Sequence, residues 1–306
     1  MSIVIAYAFS VVLRKVIVAP MPFSLSIEPT NRCQLACKEC PTGNKKTSLV
    51  KGEMEIQVYE KLISTIYNRV FYLNLYFQGE PLFNNQIIDM IRLAKQYRMF
   101  VVLSTNAQLI DNQMAEKLVL SGLSKIIISM DGMTEESYTK YRVGGKLLLV
   151  KKAIEFLNEQ KKIHRNHKLR IVAQFLVNRY NEHEISDFIN WAKKNKVKPE
   201  LKTMQLYNDF SFLPENVQFS RYRWVDGSWV LKKSKKNRCF RIWKQCIIRY
   251  NGDVLPCCYD KDNTFVMGNI KQKSLKELWR SPDFDAFRQK ILKDKKSITM
   301  CQNCTE

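Results

Sequence analysis

The feature that most constrains this chain is a group of three cysteines, Cys33, Cys37 and Cys40, in a C-x3-C-x2-C spacing directly after a strand-like run at residues 23–28. Three thiolates in one short loop can occupy three corners of a 4Fe-4S cluster, which normally takes four cysteine ligands. One iron would then lack a protein ligand and could bind a substrate or cosubstrate. The spacing therefore predicts a catalytic iron–sulfur site.

A structural zinc site is the alternative interpretation of this triad. Zinc loops favour C-x2-C pairs with a fourth Cys or His nearby. The three histidines of the chain, His164, His167 and His183, all lie far from the triad in sequence. The spacing thus favours iron over zinc at this site.

The composition is that of a globular protein of one large domain or two, because the chain has 306 residues, of which 45% are hydrophobic and 26% charged. Its nine cysteines are odd in number and clustered at metal-type spacings. Secreted disulfide scaffolds are usually short, with an even number of cysteines. The cysteine usage therefore indicates a reducing cytoplasm.

The net charge of +21, from 50 Lys and Arg against 29 Asp and Glu, indicates anionic partners. Such an excess attracts phosphate esters, nucleic acid or an anionic membrane surface. A solvated basic surface without a specific partner is the alternative, because net charge governs association and not fold.

Residues 1–20 are expected to form a separate N-terminal apolar helix. Residues 3–13 are nearly all apolar, but Arg14 and Lys15 end the run. It falls short of the ~20 residues needed to span a bilayer. A signal peptide would carry its positive charge before the apolar stretch. Two interpretations stay open: a helix packed on the domain, or a helix in a membrane interface with Arg14 and Lys15 at the headgroups, which would make the protein peripheral to a membrane.

Two periodicities alternate along residues 21–206. Strands are predicted at residues 23–28, 71–76, 100–104, 125–130, 169–177 and 200–205, with helices at 53–68, 85–97, 111–121, 146–163 and 182–195. Strict alternation of this kind predicts parallel strands and a partial (β/α)6 TIM-like barrel. Active sites of such folds lie at the carboxyl ends of the strands. The Cys33 loop, Glu80, Asn106 and Asp131 all follow strands and should meet there.

A second cysteine group falls in residues 207–306, predicted to form a small cysteine-rich α+β domain after an aromatic, basic bridge at 206–237. Its members, Cys239, Cys257, Cys301 and Cys304, flank a hairpin turn at 250–253. Four cysteines can close an iron–sulfur cluster or bind zinc, and this half alone does not distinguish the metals. Coexistence with the first triad favours iron. Cys246 and Cys258 are left over and are expected to be small buried apolar residues.

Together these features resemble the radical S-adenosylmethionine (SAM) enzymes that carry a C-terminal SPASM or twitch auxiliary-cluster domain. The resemblance runs from Phe23 to Cys304 and includes the triad, Gly79-Glu80-Pro81, the alternating elements, and the Cys239, Cys257, Cys301 and Cys304 pattern. One departure is Glu39, because the family usually has an aromatic residue before the third cysteine, where it contacts the adenine edge.

The resemblance implies cofactors and residue roles. Cys33, Cys37 and Cys40 would ligate a 4Fe-4S cluster whose free iron binds SAM, and reductive cleavage would give a 5′-deoxyadenosyl radical. Glu80 would accept hydrogen bonds from the methionine amino group, with Gly79 providing backbone room. The remaining contacts would come from Ser104, Asn106, Ser129 and Arg142. Without the resemblance, Glu80 could cap a helix, Asn106 and Asp131 could form turns, and Arg142 could lie on the surface.

The implied reaction is oxidation of a substrate C–H bond in a peptide, protein or alcohol. An auxiliary 4Fe-4S cluster held by Cys239, Cys257, Cys301 and Cys304 would accept an electron or hold the substrate, and flavodoxin or ferredoxin would serve as reductant. Lys202, Gln205 and Asp209 are candidates to face the substrate. An enzyme acting on RNA or another anionic substrate is one alternative, and an inactive metal-binding interaction module is another.

Overall fold

The computed structural model describes residues 2–44, 50–207, 209–232 and 236–305. The strands in these ranges are β1 (Ser24–Ile27), β2 (Tyr72–Asn74), β3 (Phe100–Thr105), β4 (Lys125–Ser129), β5 (Arg170–Val177), β6 (Lys198–Thr203), β7 (Tyr222–Val225), β8 (Ser228–Leu231), β9 (Gln245–Ile248) and β10 (Val254–Leu255). The α-helices are α1 (Ile3–Leu13), α2 (Ile56–Ile66), α3 (Ile87–Gln96), α4 (Asn112–Leu120), α5 (Glu135–Tyr141), α6 (Leu147–Ile163), α7 (Ile185–Lys194), α8 (Arg241–Lys244), α9 (Leu275–Trp279), α10 (Pro282–Asp294) and α11 (Thr299–Gln302).

The main sheet has the strand order β10-β9-β1-β2-β3-β4-β5-β6. Strands β1 to β6 pair with their neighbours in parallel, and a helix separates each from the next. Apolar residues of these helices and of the sheet form one continuous core. The prediction of an α/β partial barrel is confirmed.

The C-terminal hairpin belongs to this same sheet, which the sequence did not predict. The turn expected at residues 250–253 is present, but β9 runs parallel to β1, with Ser24 opposite Gln245. Just beyond these strands, Arg249 Nε lies 3.2 Å from Glu28 Oε2, and both side chains are almost fully buried. The proposed division at residue 207 therefore separates two sequence segments that share one sheet.

Local capping signals explain where several helices begin. Asp111, the first residue of the predicted helix 111–121, accepts a hydrogen bond from Met114 N at 2.7 Å and caps α4. Helix α5 was not predicted, although Thr134 and Ser137 form a reciprocal capping box at its start. With only seven residues, α5 carries too few apolar positions to show a helical period.

The bridge at residues 206–237 contains a second hairpin, formed by β7 and β8. Asp226 and Gly227 join the strands with φ values of 46° and 77°. An Asp-Gly pair is a strong hairpin signal, and no strands were predicted in this aromatic, basic bridge. Residues 208 and 233–235 of the bridge lie outside the described ranges.

The apolar segment near the start of the chain forms the expected helix, α1, and packs on the protein. The Tyr7 ring contacts Phe240 and Trp243, with centroid separations of 5.0 and 5.5 Å. Trp243 Nε1 donates to Ser10 Oγ at 3.1 Å. Among the described helices, none is long and apolar enough to cross a membrane.

Candidate active site

The loops after the first four strands enclose a cavity of about 140 Å³ at the carboxyl edge of the barrel. Its lining consists of Cys33, Leu35, Cys37, Cys40, Tyr76, Phe77, Gly79, Glu80, Ser104, Thr105, Asn106, Ser129 and Arg142. Every residue that the sequence suggested for the catalytic cluster and SAM is therefore present around one space.

The three thiols of the Cys33 loop differ in exposure, since Cys37 is buried while Cys33 and Cys40 are half-buried. Side-chain donors approach two of them: Asn106 Nδ2 lies 3.7 Å from Cys33 Sγ. Arg142 Nη1 lies 3.8 Å from Cys37 Sγ. Burial raises the pKa of Cys33 to about 12 and also raises that of Cys37, against the effect of Arg142. Both thiols therefore stay protonated at neutral pH unless a bound metal displaces the protons.

Gly79 allows the second loop to lie directly on the chain that enters the Cys33 loop. Its φ is 74°, and a Cβ there would lie 2.4 Å from Thr30 O and 2.8 Å from Arg32 O. Glu80 N donates to Arg32 O at 2.7 Å. Any side chain at position 79 would force these loops apart and displace Glu80.

Glu80 is a buried carboxylate held by three hydrogen bonds. Its Oε1 accepts from Thr105 Oγ1 at 2.6 Å and from Leu82 N at 3.3 Å, and its Oε2 accepts from Asn106 N at 2.8 Å. The contact with Leu82 N caps a 3₁₀ helix at Pro81–Phe83. Glu80 therefore does cap a helix, but it also binds Thr105 and Asn106. Burial raises the pKa of Glu80 to about 7, although the three hydrogen bonds oppose the shift.

Arg142 is oriented by a buried ion pair, and the surface interpretation is wrong. Its Nε lies 2.6 Å from Asp131 Oδ2, and only 18% of its side chain is exposed. Asp131 is fully buried and its Oδ1 also accepts from Leu176 N at 2.7 Å. Burial disfavours the charge of Arg142, but Asp131 and Cys37 hold its pKa above the usual value. Asp131 thus aims the guanidinium at the thiols, a role that the sequence did not suggest.

The concave face of the sheet continues past the cavity with more polar side chains. Ser129 is opposite Gln174, and Gln174 is opposite Glu200, so the three point to the same side. Glu200 Oε1 accepts from Lys202 Nζ at 2.7 Å and from Gln174 Nε2 at 3.3 Å. Burial opposes ionisation of Glu200, yet the contact with Lys202 lowers its pKa. Gln174 and Glu200 were not predicted as site residues. The signal that could have identified them is a polar residue at a strand position whose neighbours point into the barrel.

The three residues expected to face the substrate are thus separated by the fold. Lys202 lies on the concave face beside Glu200. Gln205 Nε2 donates to Asn303 O at 3.2 Å. Asp209 is exposed and accepts from Ser211 N, which caps a short 3₁₀ helix at Phe210–Phe212. Only Lys202 stays near the cavity's face of the sheet.

Glu39, which stands where the family usually has an aromatic residue, ties the bridge to the Cys33 loop. Its side chain is buried, and its two oxygens accept from Tyr207 N at 2.6 Å and from Asp209 N at 3.1 Å. The carboxylate therefore anchors backbone donors of a segment about 170 positions away in sequence. This contact gives the unusual residue a structural role.

The second cysteine group lines a separate, smaller cavity. Cys239, Cys257, Cys301 and Cys304 surround it together with apolar side chains such as Ile242, Phe287 and Ile291. All four thiols are buried. Of the two remaining cysteines, Cys246 is fully buried as expected, whereas Cys258 is half-buried with Arg241 Nη1 3.4 Å from its sulfur.

Within the described ranges, no three or more Cys, His, Asp or Glu side chains are placed so that they could hold one metal ion. The thiols instead line two cavities, three around the first and four around the second. Iron–sulfur clusters are bound by cysteine thiolates in sets of this size. Fold and sites together define an iron–sulfur enzyme built on an α/β barrel.

Comparison with known protein families makes the assignment specific. The family model for the radical SAM superfamily matches residues 27–192, more than half of the chain. A second model, SPASM, an iron-sulfur cluster-binding domain, matches residues 239–305. The chain therefore belongs to the radical SAM superfamily. Its cofactors are a 4Fe-4S cluster, SAM and an auxiliary iron–sulfur cluster.

Individual relatives are distant but cover most of the chain. Mycofactocin maturase MftC of Mycobacterium ulcerans is 24% identical, covering 92% of this chain and 80% of its own length. The S-adenosyl-L-methionine-dependent 2-deoxy-scyllo-inosamine dehydrogenase of Niallia circulans is also 24% identical, and the match covers 92% of this chain and 91% of the dehydrogenase.

A solved structure, Streptococcus suis SuiB bound to S-adenosylmethionine, matches with a TM-score of 0.69 at 14% identity, covering 94% of this chain and 73% of SuiB. SuiB has also been solved with precursor peptide SuiA. At this identity the likeness establishes the fold.

Proposed function

We propose that this enzyme oxidises a C–H bond of a peptide, protein or alcohol substrate, helped by an auxiliary 4Fe-4S cluster. The observation that carries the proposal is the presence of two thiol-lined cavities, the first with two half-buried thiols among polar side chains and the second with four buried thiols. The names of the relatives, a maturase and a dehydrogenase, support substrates of these classes.

The cysteines divide into two ligand sets. Cys33, Cys37 and Cys40 hold the catalytic cluster, and the auxiliary cluster is held by Cys239, Cys257, Cys301 and Cys304. When bound, the catalytic cluster and SAM supply a 5′-deoxyadenosyl radical that abstracts hydrogen from the substrate. A low-potential donor such as flavodoxin or ferredoxin delivers the electron that this cleavage needs.

The residues around the first cavity bind and orient SAM. Glu80, in its charged form, accepts a hydrogen bond from the methionine amino group. Arg142, aimed by Asp131, binds the carboxylate. Ser104, Asn106 and Ser129 lie on the rim where the ribose and the methionine portion would sit. Gly79 brings the loop of Glu80 close enough to the cysteines for these contacts to act on one molecule.

The substrate would bind on the concave face next to this cavity. Gln174, Glu200 and Lys202 continue the row that contains Ser129, and they offer both donors and acceptors. Hydroxyl and amide groups of an alcohol or peptide could pair with them. A substrate bound there would present its C–H bond to a radical generated beside Ser129.

Anaerobic reconstitution tests the proposal. The protein should take up roughly eight irons per chain, turn brown, and release 5′-deoxyadenosine from SAM under reduction. Cys33→Ala should abolish release, and Cys246→Ala, a buried thiol outside both sets, should not. A colourless, zinc-loaded protein, or release that persists in Cys33→Ala, would refute it.

An RNA substrate is the second candidate, and the net charge of +21 favours it. RNA binding through phosphate contacts should weaken steeply with salt, because counterions are released on association. Affinity that stays flat between about 50 and 200 mM salt would eliminate this candidate.

A further inference from the structure

The outer face of α1 is apolar over its whole length. Exposed positions recur at the helical spacing and are Val4, Ile5, Ala8, Phe9, Val12 and Leu13. Val12 is 78% exposed and Val4 65%. A helix on the surface of a water-soluble domain normally turns polar residues outward. Here residues 3–13, all described by the structure, place no charged side chain on either face.

The inner face already accounts for the attachment of α1 to the protein. Ala6 and Ser10 are buried, and Tyr7 packs against Phe240 and Trp243. The outer face adds nothing to this packing and leaves several large apolar side chains in water. Exposed apolar patches of this kind mark interaction surfaces.

The charged residues that follow the apolar face in sequence are basic. Arg14 and Lys15 come directly after it and are exposed, and the first acidic residue of the sequence is Glu28. Lys244 adds a third positive charge next to the helix, with its Nζ 5.3 Å from the centre of the Phe240 ring. An apolar helical face with a basic end is the pattern that binds anionic membrane interfaces.

The position of α1 in the fold is compatible with such a surface. Phe240 and Trp243 immediately precede β9, whose first residue pairs with the first residue of β1, so α1 lies toward the amino ends of the strands. Phe23 and Phe71, at the same ends, are 46% and 57% exposed and touch each other. The cavity with the three thiols opens at the opposite, carboxyl ends.

We propose that α1 lies in the interface of an anionic membrane and holds the enzyme there peripherally. Its outer face enters the headgroup boundary while Arg14 and Lys15 pair with lipid phosphates. The amino ends of the strands then face the bilayer, and the catalytic cavity stays open to the opposite side. A second copy of the chain covering the same face is the competing occupant.

Sedimentation of the reconstituted enzyme with vesicles of phosphatidylcholine, with or without phosphatidylglycerol, tests the proposal. Binding is expected to the anionic vesicles only. The double variant Phe9→Ser, Val12→Ser should bind about tenfold more weakly or worse. Arg14→Ser, Lys15→Ser should lose the preference for phosphatidylglycerol. The matched control Leu120→Ser, Leu148→Ser removes two other exposed apolar residues, from α4 and α6, and should bind normally.

Each variant should keep SAM cleavage, because the substituted side chains point to solvent. Absence of binding to anionic vesicles, or binding unchanged in Phe9→Ser, Val12→Ser, would overturn the proposal. So would a vesicle-free dimer in light scattering that the same double variant dissociates, since the face would then belong to a second copy.

Discussion

The two cysteine sites of this enzyme differ in how they meet solvent and how the chain builds them. The first takes three thiols from one loop of eight residues, two of them half-buried, and surrounds them with Glu80, Asn106 and Arg142. The second gathers four buried thiols from segments between residues 239 and 304 and surrounds them mainly with apolar side chains, with Arg241 and Lys295 also in the lining. An open, polar site can bind and activate a cosubstrate, whereas a closed, apolar one suits electron transfer.

Removal of one thiol from each site gives the largest expected contrast. Cys37→Ala should lower SAM cleavage by more than about 1,000-fold, because the catalytic cluster loses a ligand and Arg142 loses its neighbour. Cys257→Ala should leave SAM cleavage within a few-fold of normal while substrate oxidation is lost. Iron content should fall to roughly four per chain in either variant. Equal loss of SAM cleavage in both would contradict the division of roles.

Replacement of Glu80 tests the polar character of the first site. Glu80→Gln should weaken SAM binding about 10- to 100-fold at pH 8, since a charge-assisted hydrogen bond contributes about 1.5–3 kcal/mol. The pKa of about 7 sets the pH dependence. The carboxylate is charged above that pH and protonated below it. The affinity for SAM should therefore decrease below pH 7, with a slope that approaches about tenfold per pH unit.

Titration calorimetry with SAM at a series of pH values measures this dependence. The Glu80→Gln protein serves as the control for the wild type. Because an amide does not titrate, the affinity of this variant for SAM should stay constant across the same pH range. A wild-type profile as flat as that of the variant would show that Glu80 does not bind the amino group in its charged form.

Substitution of Asp131 tests whether the orientation of the Arg142 guanidinium matters for SAM binding. Asp131→Asn should raise KM for SAM about tenfold with a smaller change in kcat, because one charge-assisted contact is weakened while the cluster ligands remain. Arg142→Ala should have a larger effect, and the double variant should be no worse than Arg142→Ala alone. Additive effects in this cycle would mean that Asp131 acts independently of Arg142.

The smallest expected effect concerns Glu39, which joins the first site to the bridge. Glu39→Gln should cost about 1–2 kcal/mol of stability, because an amide oxygen replaces a buried carboxylate that accepts two backbone donors. Residues 206–213 should then be cleaved sooner by protease. Glu135→Gln is the matched control, since Glu135 also accepts two backbone donors, Leu147 N and Leu148 N, but is exposed.

Most of the fold and the general location of the site could be predicted from local sequence patterns. The periodicity of strands and helices and the cap at Asp111 depend on neighbours in sequence, so they could be predicted directly. The strand ends predicted the Cys33 loop, Glu80, Asn106 and Asp131 to lie on one rim, because parallel strands end at the same edge.

The contacts that escaped prediction join residues distant in sequence. The pairing of β9 with β1 leaves no mark in either segment alone, since a short apolar strand can pair with many others. The contact of Glu39 with Tyr207 N depends on the path of the bridge. Glu200 reaches the concave face only through the register of β6 on β5. Such contacts follow from the completed tertiary structure and not from local propensity.

The place of β9 beside β1 also governs the order of events during synthesis. β1 emerges from the ribosome early, but one of its edges stays unpaired until the residues from Gln245 onward have been made. Glu28 meanwhile lacks Arg249, the partner that makes its burial tolerable. The strand that carries the Cys33 loop therefore keeps one open edge for most of synthesis, and a nascent chain would need protection of that edge until β9 has been made.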